Sequence, residues 1–96
     1  MKRAEVLDQA KECVCGKREQ DYGSPEDNFR LIADLWSDYL RGIRITAKDV
    51  AMMMVLLKVA RVSNGGGSGV CFVVIAGYAA CAGELTSEIR MYKGEE

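Results

Sequence analysis

No histidine occurs among the 96 residues. That absence removes the side chain that most often binds transition metals or serves as a general base near neutral pH. An excess of charge of either sign is missing too: 13 basic residues stand against 14 acidic ones. Without a basic field to draw in phosphate backbones, nucleic acid is not an expected partner. The first twelve residues, MKRAEVLDQAKE, contain no apolar stretch of the kind a secretion signal needs, so a cytoplasmic location is expected. The four cysteines, Cys13, Cys15, Cys71 and Cys81, lack the two-residue spacing of zinc sites and read as reduced small hydrophobes.

Acid is absent from one long span. Ten of the fourteen acids precede Val50, and from Val50 to Gly83 the only formal charges are Lys58 and Arg61. Two apolar runs, VAMMMVLL and VCFVVIAGYAACAG, flank SNGGGSG in that span. Neither reaches the roughly 20 residues that cross a bilayer. A buried helical hairpin shared between subunits explains them better than a membrane hairpin.

A chain of this length forms one domain, taken as residues 1–92 with 93–96 as a frayed tail, and buries only about 60–65% of its unfolded surface. Its core is thin, so a homodimer or tetramer is expected. The pattern predicts four helices and no strand, an all-α bundle. The first covers about 2–15, with Leu7, Ala10 and Val14 at helical spacing and Gly16 as a stop. The second covers 25–40: Ser24 caps it, Pro25 opens it, and Asp27 follows the cap by three. Its apolar stripe is Phe29, Ile32, Trp36 and Leu40. The third, 47–62, opens the same way with Thr46 and Asp49, and is apolar on nearly every side. The fourth, about 70–91, is rich in alanine and glycine, which permits close helix contact.

Polar residues sort by face at 100° per residue. Asp27, Asp34 and Asp38 fall on one line away from Phe29 and Trp36, as a solvated face. Asn28 lies at the edge of the apolar side, where an amide needs partners or a ligand. Glu26 flanks the stripe from the other side, as a helix-dipole carboxylate or a ligand to a metal ion. Lys58 and Arg61, one turn apart with no acid near in sequence, suit a phosphate group, or else snorkel to water or pair with acids of the second helix. Arg18 and Tyr22 precede a helix entrance whose free N–H groups also favour phosphate. Arg18, Tyr22, Glu26, Asn28, Lys58 and Arg61 are therefore the candidate ligand-binding residues, and Glu26, with Asp21 beside it in the same segment, is the candidate for metal.

The combination REQDYGSPEDNF, DVAMMMVLLKVAR and IAGYAACAGE resembles a small helical family of phages and prophages over nearly the whole chain. More remotely it is similar to MazG-like all-α nucleotide pyrophosphatases. That likeness implies carboxylates on facing helices holding Mg²⁺, basic residues holding a triphosphate, and a phage product working in the host cytoplasm. In the phage family the segment before IAGYAA reads D-x-F-V-D, with acids where this chain has Val70 and Val74. Two acids at that spacing would share a face and grip a hard cation; two valines do not. Three functions stay open: nucleotide binding with catalysis weakened or absent, an active Mg²⁺-dependent pyrophosphatase, and a structural homo-oligomer.

Overall fold

Among the described residues Val50 is the one large side chain sealed completely from solvent, and the fold is arranged around it. The computed structural model describes residues 1–16, 24–66 and 68–85. These form four helices: α1 (Arg3–Cys15), α2 (Pro25–Leu40), α3 (Ala47–Arg61) and α4 (Gly69–Glu84). Among the described residues there is no strand, so the all-α expectation holds. The remainder of the span expected for the fourth helix lies outside the described residues: α4 ends at Glu84, and Leu85 donates its N–H to the carbonyls of Cys81 and Ala82.

Two helices begin on the caps their sequences announce. Ser24 Oγ accepts the N–H of Asp27 at 3.3 Å, and Pro25 occupies the first turn, where its missing N–H costs nothing. At α3 the bonds are reciprocal: Thr46 Oγ1 accepts from Asp49 N at 3.1 Å, and Asp49 Oδ2 accepts from Thr46 N at 3.0 Å. Between them the chain reverses through Arg41 and Gly42, both at positive φ (51° and 91°). Ser37 holds that reversal in place. Its hydroxyl bonds the Ala33 carbonyl at 2.7 Å and accepts the Ile45 N–H at 2.8 Å, so the returning strand of chain lies against the last turns of α2.

The helices α2 and α3 therefore run as an antiparallel hairpin. Phe29 and Ala33 of α2 join Ile45, Ala47, Val50 and Ala51 in one core, which Cys81, Ala82 and Leu85 of α4 complete. Phe29 also meets Tyr78 of α4 with ring centroids 5.8 Å apart and planes tilted by 45°, a favourable aromatic arrangement. After α3 the helix loosens into a wide turn, Val62–Gly66, in which Gly65 takes φ 81°. A residue with a Cβ resists that conformation, which is the use of glycine here.

The remaining helix, α1, lies along α4. A Cβ added at Gly77 would stand 3.3 Å from Val14 Cγ1, and one at Gly69 3.2 Å from Met1 Cε. The small residues of α4 thus allow close approach, and these two contacts make α1 and α4 run in the same sense. The expected stripe of α1 needs correcting. Leu7 is exposed, and the line facing α4 is Val6, Ala10 and Val14, at spacing four rather than three and four. Leu40 is exposed as well, because it is the last residue of α2 and the chain turns away beyond it.

Candidate functional site

The hairpin brings the entrance of α2 and the exit of α3 to the same end of the bundle, since Ile45 packs at Ser37 and Phe29 shares the core with Val50 and Ala51. That end is where four of the six candidate residues stand. Arg18 and Tyr22, and Asp21 with them, lie outside the described residues. Glu26 is half-buried in the first turn of α2. Asn28 is exposed, which corrects the expectation that its amide needs a partner: the inward positions of α2 are Phe29, Ile32, Ala33 and Trp36, and Asn28 falls outside them.

Lys58 and Arg61 differ in exposure. Val50, Ala51 and Met54 mark the inner face of α3, and Lys58 follows Met54 and Ala51 on that side, half-buried. Arg61, in the last turn, is exposed. Both stand where cations complement the partial negative charge of a helix C-terminus. Among the described residues neither makes an ion pair. Two of the four carboxylates of α2 are engaged elsewhere: Asp27 lies 3.8 Å from Arg30, and Asp34 lies 3.5 Å from Arg44. Both pairs are largely exposed and worth well under about 1 kcal/mol each. They leave the acidic line of Asp27, Asp34 and Asp38 facing solvent, as its spacing indicates.

Sequence reasoning did not find the hollow at the opposite end of the hairpin. It has a volume of about 180 Å³ and is lined by Arg30, Asp34, Arg44 and Thr46, over a floor that includes Ala33 and Ala47. The Asp34–Arg44 pair bridges helix and loop there. No sequence signal links residues 30 and 34 with 44 and 46; only the reversal fixed by Ser37 does.

Toward metal chemistry the arrangement offers little. Among the described residues no three histidine, cysteine, aspartate or glutamate side chains gather, at Glu26 or elsewhere. Val70 is exposed and Val74 half-buried, one turn apart at the start of α4. Among the described helices none is long and apolar enough to cross a membrane.

Residues 5–86 match the family described as Domain of unknown function DUF6378. The chain belongs to that family. Relatives by sequence include the Gene 55 protein of Mycobacterium phage L5, 47% identical over 74 residues, covering 77% of this chain and 47% of that protein. The Gene 55 protein of Mycobacterium phage D29 is 40% identical over 83 residues, covering 86% of this chain and 54% of that protein. The chain therefore spans about half the length of these phage relatives. No solved structure matches it.

Proposed function

We propose that this DUF6378 chain works as a self-associating helical module, a homodimer or tetramer in which a second copy covers the outer face of α3. One observation carries the reading: Met52, Met53, Leu56, Leu57 and Val59, all on the solvent side of α3, are 41% to 63% exposed. A contiguous apolar face of this kind marks an interaction surface far more often than a free one. Sedimentation equilibrium at micromolar concentration tests it. Association is the expected result, and a clean monomer across that range removes the reading.

A second reading draws its support from Lys58. A half-buried cation on the inner side of α3, with no carboxylate paired to it among the described residues, suits an anionic ligand, because leaving such a charge unmatched is costly. In this reading a nucleotide places its phosphates between Lys58, Arg61 and the first-turn N–H groups of α2, with Arg18 and Tyr22 just before that helix. Asn28 and Glu26 stand at the same entrance, Glu26 either turned away or holding a cation. The MazG-like architecture belongs here, as does Mg²⁺-dependent pyrophosphate hydrolysis, for which Val70 and Val74 stand where acids are expected. A thermal-shift series of nucleotides with and without Mg²⁺ tests it. A rise in melting temperature that Lys58→Ala abolishes supports binding, and no shift with any nucleotide ends it. The double variant Val70→Asp, Val74→Asp tests the metal part by calorimetry: divalent binding supports a site on α4, and a folded variant that binds none excludes it.

A further inference from the structure

We draw no further inference here: the strongest candidate, the hollow lined by Arg30, Asp34, Arg44 and Thr46 where α3 begins, rests on a helix N-terminus whose two arginines already lie beside Asp27 and Asp34, with no second observation that points to a ligand.

Discussion

The two helices of the hairpin enter by the same chemistry and end in different surroundings. Each begins with a hydroxyl cap followed three residues later by aspartate, and they are nearly equal in length. Outside, α2 offers water Asp27, Arg30, Asp34 and Asp38, whereas α3 offers it methionine, leucine and valine. Helix entrance and helix length are thus set by local sequence, while the outer face records what the helix meets after folding. Even α2 is not wholly polar outside, since Leu31, Leu35 and Tyr39 form a narrow exposed line on one flank. In α3 the polar share has shrunk to the two ends.

The sharpest way to break this comparison is to place one charge on each side of α3. Val50→Asp, at the sealed position, should prevent cooperative folding, because an unmatched buried carboxylate costs on the order of 4 kcal/mol or more against a small domain's stability. Circular dichroism reads this as loss of helix. Leu56→Glu, only two turns away but outside, should keep the helix signal and abolish association in sedimentation. If Leu56→Glu unfolds the chain as Val50→Asp does, the outer face belongs to the protomer's own core and the contrast fails.

Smaller effects sharpen the likeness at the entrances. Thr46→Ala removes one of two reciprocal bonds and should cost about 1 kcal/mol, a fall of roughly 4–8 °C in melting temperature. Ser24→Ala removes a single longer bond, 3.3 Å against 3.1 Å, and should cost less. A larger loss at Ser24 than at Thr46 would mean that the α2 entrance carries a duty beyond capping. Ser37→Ala should exceed both, at about 1–2 kcal/mol through the orphaned Ile45 N–H, again read from the melting temperature.

The caps, the helix class and the inward positions Phe29, Ile32 and Trp36 were legible because each rests on residues within a few positions of one another. Ser37 was not. A serine in mid-helix reads as neutral, and its use appears only when the chain doubles back and presents the Ile45 N–H. The hollow by Arg30 and Arg44 was hidden for the same reason. The candidate site was legible only as a set of residue types. Spacing put Lys58 and Arg61 on one face, but it did not show that Lys58 is half-buried while Arg61, in the last turn, is exposed, nor that Val6 rather than Leu7 joins Ala10 and Val14 on the inward line of α1. Periodicity reports which side of a helix is apolar; it does not report how far a neighbour reaches around it.

The manner in which α1 is attached has a consequence for how the protein opens. Ala10 is its only buried residue, and its grip on α4 runs through side chains set against Gly77 and Gly69. With a single fully buried residue, α1 should be released at a lower free energy than the core around Val50. Amide hydrogens of α1 should therefore exchange with solvent deuterium through a local opening, orders of magnitude sooner than those of α3. In that opened form the exposed glycine groove of α4 becomes a second apolar surface, present for a small fraction of the time and closed again by the chain's own first helix.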